Sequence, residues 1–391
     1  MPSRRRIPLG RQAAVAALAG LLAAAPAAAE APSGTDVSPP LEPAPRWFEA
    51  IAVNGFVSAS WGRNLNDPAS GGNELRAFDT ENGSIALDVA SLVIGKEAGK
   101  AGETGFRLDL LAGSSVPGVT AAEGLFRAEE TGEAGDFDLL QAYVTWVAPV
   151  GRGLTLDVGK FVTPAGFEAV DGFEEWNDNA TRSLQFTLSE PTTHTGVKAG
   201  YGFSDTLSAQ LLLVNGWDDA KDRNGRKTLG ASITLVPGAA WSVTTTLLHG
   251  PEQEGNDADD RSLLVVSGTW EPDGPLGAAA CLELGREEGL GEGGETVRWW
   301  SLAGYLTWKV APVVSLALRA ELFDDPDGAR TGTAQRPFGL TLTPTVPLGS
   351  GFVVRADLRV DVSDAEVFED EDGLFMKKRQ PTFLVNALYA F

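Results

Sequence analysis

The stretch Phe352–Val362, FVVRADLRVDV, carries a charge at every second position from Arg355 to Asp361, with an apolar residue between each pair. Side chains of an extended chain alternate between two faces, so Phe352, Val354, Ala356, Leu358 and Val360 share one side. Arg355, Asp357, Arg359 and Asp361 share the other. Such a strand separates an apolar medium from a polar one. The fold turns on which medium lies where.

The pattern recurs along the chain. GFRLDLLAG sets Phe106, Leu108 and Leu110 against Arg107 and Asp109, and LLQAYVTWV sets Leu140, Ala142, Val144 and Trp146 against Gln141, Tyr143 and Thr145. Counting such segments from VNGFVSASW near residue 53 to PTFLVNALYAF at residue 391 gives about 16 strands, many near the length a tilted membrane strand needs. Eighteen is the nearest alternative count. Outside the N-terminus no segment of comparable quality has helical period.

The connections sort by length. APVGRG, GFSDT, VPGAA, EPDGPLG and PLGSG are tight, and alternate with long polar segments such as NGWDDAKDRNGRK, GPEQEGNDADD and SDAEVFEDEDGLFMKKRQ. A β-sandwich need not sort its turns, whereas an outer-membrane barrel keeps short turns in the periplasm and long loops outside. The alternation holds if Thr163 to Thr193 is one outer loop. Reading RSLQFTL within it as a strand would invert everything before it.

With this orientation Trp146, Tyr201, Trp241, Trp270, Trp308 and Phe352 fall near the periplasmic strand ends. Trp61, Trp217, Trp299, Trp300, Phe323 and Phe338 fall near the outer ends. Two aromatic girdles are expected at the two membrane interfaces. The expected fold is therefore an all-β transmembrane antiparallel barrel, with Phe352 to Val360 toward lipid and Arg355 to Asp361 toward a wet interior. On that reading Arg359→Leu should cost less than Leu358→Arg. Phe391, in phase with Tyr389 on the apolar face, reads as a signal for the barrel assembly machinery.

The N-terminus supports export. Arg4, Arg5, Arg6 and Arg11 precede a short Ala/Leu core that closes on Ala27, Ala28 and Ala29, the pattern of a secretory signal peptide over residues 1–29. A Pro-rich periplasmic lead-in follows over 30–46, and the barrel is expected over 47–391. The net charge is −22, and loss of those four arginines takes it to −26, which argues against nucleic acid and anionic headgroups as partners. Cys281 is the only cysteine, so no internal disulfide holds the fold.

GKFVTPAGFE (Gly159–Glu168), TRSLQF (Thr181–Phe186), THTGVKAGY (Thr193–Tyr201) and VNGWDD (Val214–Asp219) occur here in this order and spacing. Together they resemble the OmpL-like putative β-barrel porin family, over a span from about Val53 to Phe391. The resemblance implies an outer-membrane barrel and passive transport, and supplies neither catalytic residues nor a defined substrate.

Ten charged residues are expected on the pore lining: Arg107, Asp109, Asp157, Lys198, Glu283, Arg319, Glu321, Arg355, Asp357 and Arg359. A charged wall implies water and a route for polar solutes, although ion pairs bracing the wall would look the same. The third outer loop, Thr163 to Thr193, carries Glu168, Asp171, Glu174, Glu175, Asp178 and Arg182. By analogy with general porins it folds inward as a constriction, and Phe161, Phe167, Phe173, Trp176 and Phe186 favour packing over exposure. Its carboxylates predict a modest cation preference.

Catalysis is not expected. The histidines are His194 and His249, and no nucleophile is evident in sequence beside either. DRNG in 222–225 matches part of a calcium loop, but Ala220 and Ala231 occupy the first and last ligand positions. No cofactor or metal is expected. The expected partners are outer-membrane lipid and lipopolysaccharide, the assembly machinery, and small hydrophilic solutes or ions; a homo-oligomer is compatible. The leading reading is a cell outer membrane porin for passive diffusion. The runner-up is a plugged structural or interaction barrel.

Overall fold

A computed structural model describes residues 47–119, 125–126, 135–349 and 351–391. The expected signal peptide and Pro-rich lead-in lie outside the described residues. The strands in chain order are β1 (Ala52–Asn64), β2 (Ile85–Lys96), β3 (Thr104–Ala112), β4 (Phe137–Ala148), β5 (Leu154–Val162) and β6 (Thr193–Gly202). They continue as β7 (Leu207–Val214), β8 (Thr228–Gly238), β9 (Trp241–Pro251), β10 (Asp260–Trp270), β11 (Leu276–Glu287) and β12 (Val297–Ala311). The last are β13 (Val314–Asp324), β14 (Phe338–Gly349), β15 (Phe352–Val362), the short pair β16 (Phe368–Glu369) and β17 (Phe375–Lys377), and β18 (Arg379–Ala390).

Among the described residues 16 strands, β1 to β15 and β18, close into one antiparallel barrel. Each pairs with its chain neighbours, and β18 closes the ring on β1 with Phe56 opposite Ala390 and Asn64 opposite Thr382. Closure matters physically. In hydrocarbon every backbone N–H and C=O needs a partner, and an open edge would leave a row unpaired.

The alternation fixes which side each residue takes. Along β15 Phe352 and Leu358 are exposed on the outer surface, whereas Arg355, Asp357, Arg359 and Asp361 are buried. Long connections (65–84, 113–136, 163–192, 215–227, 252–259, 288–296, 325–337, 363–378) alternate with short ones throughout. RSLQFTL forms no strand. Ser183 caps a short helix, Leu184–Leu188, by accepting a hydrogen bond from the Phe186 N–H at 3.1 Å.

One girdle stands as expected: Trp146, Trp241, Trp308 and Phe352 are exposed near the short-turn rim, and Trp241 sits opposite Trp270. The other is thinner than the sequence suggested. Trp61 and Phe338 face outward, but Trp217, Trp299 and Phe323 are buried inside the barrel in an apolar cluster with Leu184, Leu188, Leu248, Leu263 and Val265. The helix 184–188 packs against them. Trp299 and Phe323 face inward with the parity of Ser301 and of Arg319 and Glu321, and Trp217 lies in the connection after β7.

Candidate functional site

The third long connection, 163–192, runs inside the barrel. Its path is set by charged residues on the inner wall of β13, β14 and β15. Arg319 Nη1 donates to Glu168 Oε1 (2.9 Å) and to the Thr181 carbonyl (2.6 Å), and its Nη2 donates to the Arg182 carbonyl (3.1 Å). Asp357 accepts from the Thr181 N–H and hydroxyl, each at 2.7 Å, and from the Thr343 hydroxyl at 2.6 Å. Arg355 donates to the Asn177 carbonyl, to Asp171 and to Asn386, and Arg359 donates to the Arg182 carbonyl and to Asp361. Glu321 accepts from the Leu184 N–H and pairs with Arg319 and Arg359. Backbone groups of a non-repetitive segment need partners once buried, and here the wall supplies them.

These contacts correct the expected lining. Arg319, Glu321, Arg355, Asp357 and Arg359 are at most 3% exposed, because the inserted segment covers them. Glu283 is covered too, beside Cys281, Ser301 and Glu190. Burial and the neighbouring Glu283 push the Glu190 carboxyl well above its ordinary value, and the two side chains share a hydrogen bond. Gly166, at φ 97, makes room for Glu190, whose carboxylate lies where a side chain at 166 would sit.

The remaining four, Arg107, Asp109, Asp157 and Lys198, lie on the opposite wall. Arg107 pairs with Asp109 (2.9 Å) and with Glu174 of the inserted segment (2.8 Å); Lys198 pairs with Asp157 (3.3 Å) and lies 4.6 Å from the Phe161 ring centroid. Between this wall and the segment lies a cavity of about 230 Å³. One side of the slot carries Ser91, Arg107, Tyr143, Lys198, Gln210, Thr244 and Ser267; the other carries Phe167, Phe173, Glu174 and Glu175.

The loop carboxylates divide accordingly. Glu168 and Asp171 turn to arginines, Glu168 to Arg319 and Asp171 to Arg182 and Arg355. Burial alone would raise Asp171, but Arg182 and Arg355 outweigh it and hold the carboxyl below its ordinary value. Glu174 and Glu175 remain on the slot. Burial, Glu174 and Asp171 push Glu175 up to about 7. Asp178 is partly exposed.

Several contributors were not found by sequence reasoning. Arg76, in the first long connection, is buried and bonds Asp361, while Phe78 beside it takes the Arg182 guanidinium over its ring at 5.5 Å. Arg330 donates Nε–H to the Leu188 carbonyl (2.6 Å) and lies near the Trp217 and Trp299 rings. Neither arginine belongs to a periodic segment, so no pattern marked it. His194 is a clamp: its Nδ1–H donates to the Gly216 carbonyl (2.8 Å), leaving Nε2 to accept from Thr163 Oγ1 (2.9 Å).

His249 does have a hydroxyl beside it, which corrects the sequence reading. Ser262 Oγ lies 3.0 Å from Nδ1, and Asp260 Oδ2 lies 3.4 Å from Nε2. Strand β10 is paired along both edges, so the backbone around Ser262 is committed to the ladder and offers no pair of donors for an oxyanion. Among the described residues no group of three or more His, Cys, Asp and Glu could hold a metal ion.

The profile of the family described as putative beta-barrel porin-2, OmpL-like, matches residues 50–391. No curated protein sequence matches the chain. Among solved structures, the outer membrane channel DcaP of Acinetobacter baumannii is similar at 11% identity and TM-score 0.60, covering 87% of this chain and 97% of that one. An anion-selective porin from Comamonas acidovorans is similar at 12% identity and TM-score 0.59, covering 87% and 99%. The trimer form of OmpT from Vibrio cholerae is similar at 11% identity and TM-score 0.56, again covering 87% and 99%.

Proposed function

The chain belongs to the putative beta-barrel porin-2, OmpL-like family, an outer-membrane porin family, and from that premise we propose that it passes small hydrophilic solutes by diffusion through the slot beside segment 163–192. The observation that carries the proposal is the slot's composition. Serine, threonine, glutamine and tyrosine on one wall, with charges of both signs, offer a hydrated solute replacement hydrogen bonds along its way. The inserted segment is the constriction, and Arg319, Asp357, Arg355 and Arg359 are its anchors.

The proposal includes a modest preference for cations. Arg107 and Lys198 are each offset by an aspartate of the same wall, and Glu174 and Glu175 then leave the slot with net negative charge. A negative slot concentrates cations, most strongly at low salt where screening is weak. Fold alone decides nothing here, since a similar barrel is an anion-selective porin. The test is the zero-current potential across a potassium chloride gradient, for the wild type and for Glu174→Gln/Glu175→Gln. A modest cation preference that moves toward anions in the variant is expected. An anion-selective wild type, or an unchanged potential, would overturn it.

The reading extends to a homo-oligomer, supported by the trimer form of the Vibrio cholerae barrel. Sedimentation of the detergent-solubilised chain at the mass of one copy would overturn that part.

A further inference from the structure

Four neighbouring strands carry one polar row at a single height on the outward face. The register sets His249 of β9 opposite Ser262 of β10, Ser262 opposite Arg286 of β11, and Arg286 opposite Arg298 of β12. With strands about 4.8 Å apart, the row runs roughly 14 Å around the barrel. One step toward the membrane, the same face turns to Leu247, Leu264, Leu284 and Trp300, paired in the same order. The row therefore sits where the apolar band ends, on the side of the long loops.

Two guanidiniums directly opposite on one face repel each other. Glu288 relieves this for Arg286 but not for Arg298. Arg286 reaches Ser262 Oγ at 3.5 Å and Glu288 at 3.3 Å. Arg298 is exposed; its backbone N–H donates to Asp327 at 2.9 Å, and its guanidinium makes no ion pair or hydrogen bond among the described residues. We propose that Arg286 and Arg298 together hold a phosphate of an outer-leaflet lipid, with Ser262 beside them and the acyl chains on the leucines below. The guanidinium fork matches phosphate oxygens two at a time, and a bound anion turns the repulsion between the arginines into shared attraction. At the edge of the hydrocarbon such a contact is screened less than in bulk water. Continuity with the apolar band favours a lipid over free phosphate, which would gain the charge contact alone. The chain's net charge opposes anionic headgroups on average, and Glu288 and Asp260 border the row on its loop side; the paired arginines at the hydrocarbon edge are the local exception.

The inference rests on the outer-membrane placement but not on an open pore, so its test reads bound lipid. Full-length chain in detergent micelles is incubated with bis-phosphorylated lipid A, and retained lipid is counted by native mass spectrometry. The wild type should retain roughly ten-fold more than Arg286→Gln/Arg298→Gln. Dephosphorylated lipid A should not distinguish the two proteins, and inorganic phosphate in excess should not displace the bound lipid. Arg298→Gln alone, which removes an exposed and unbonded group, should still lower retention several-fold if the double variant fails to fold. Folding is checked by heat-modifiable mobility, and unchanged conductance separates this result from the pore reading. Equal retention by wild type and a folded variant, or equal retention of the two lipids, would overturn the proposal. Displacement by inorganic phosphate would overturn the lipid assignment and leave a simple anion site.

Discussion

Leu358 and Arg359 are neighbours with opposite surroundings, and they show where sequence reasoning holds and where it stops. Alternation placed Leu358 toward lipid, and it is exposed there. Leu358→Arg should cost roughly 2–4 kcal/mol if the position is near mid-membrane. Alternation also placed Arg359 inside, but it implied water there. Arg359 instead meets Asp361, Glu321 and the Arg182 carbonyl with almost no accessible surface. Arg359→Leu removes one of two arginines from each of two buried carboxylates, Asp361 keeping Arg76 and Glu321 keeping Arg319. Its cost should lie toward or below the lower end of the about 3–5 kcal/mol of a fully broken buried pair. The two substitutions should therefore lower the urea midpoint of refolded barrels to a similar degree, and a neutral Arg359→Leu would contradict the contacts. Glu175 gives a second residue-scale prediction. With its carboxyl pushed up to about 7, it is uncharged well below that pH and charged above. Cation preference, read as zero-current potential, should strengthen between pH 5.5 and 8.5 in the wild type and respond less in Glu175→Gln.

The elements divide in the same way. Strands were legible because lipid enforces their pattern: an exposed charge or an unpaired backbone group in hydrocarbon is costly, so the alternation stays strict. Parity could have caught two misplaced aromatics as well. Trp299 and Trp300 are adjacent and cannot share a face, and Phe323 has the parity of Arg319 and Glu321. Trp217 lies in a connection, where no parity applies. The inserted segment was legible as a loop with apolar content, but its anchors were not, because they depend on register between β13, β14 and β15 and segment 177–184. Topology can be checked at this scale. Epitope tags in 218–226, 253–259 and 366–373 should be reached by antibody on intact cells, and a tag at 237–239 should not. Surface labelling at 237–239 would invert the barrel.

At the scale of the whole molecule, the interior is unevenly filled. The wall from β13 to β15 is covered by segment 163–192, and the polar slot lies against the wall from β2 to β10. The four motifs that carried the family resemblance converge on this arrangement. Glu168 and Thr181 meet Arg319, His194 ties Thr163 to Gly216, and Asp218 accepts from the Thr192 and Thr193 N–H groups at 2.8 and 2.7 Å. Their spacing in sequence thus reflects one task, seating the segment at its base. If that seating leaves the slot open, a bulky group on the slot wall should obstruct flow, whereas the same group on the covered wall should not act by obstruction. The most direct measurement is the single-channel conductance of Ser267→Cys in a planar bilayer, before and after reaction with a large charged thiol reagent; the native Cys281 is fully buried. Open steps in the unreacted protein and a several-fold drop on reaction are predicted. A silent protein, or conductance unchanged by a modified Ser267→Cys, would contradict a diffusion route through the slot.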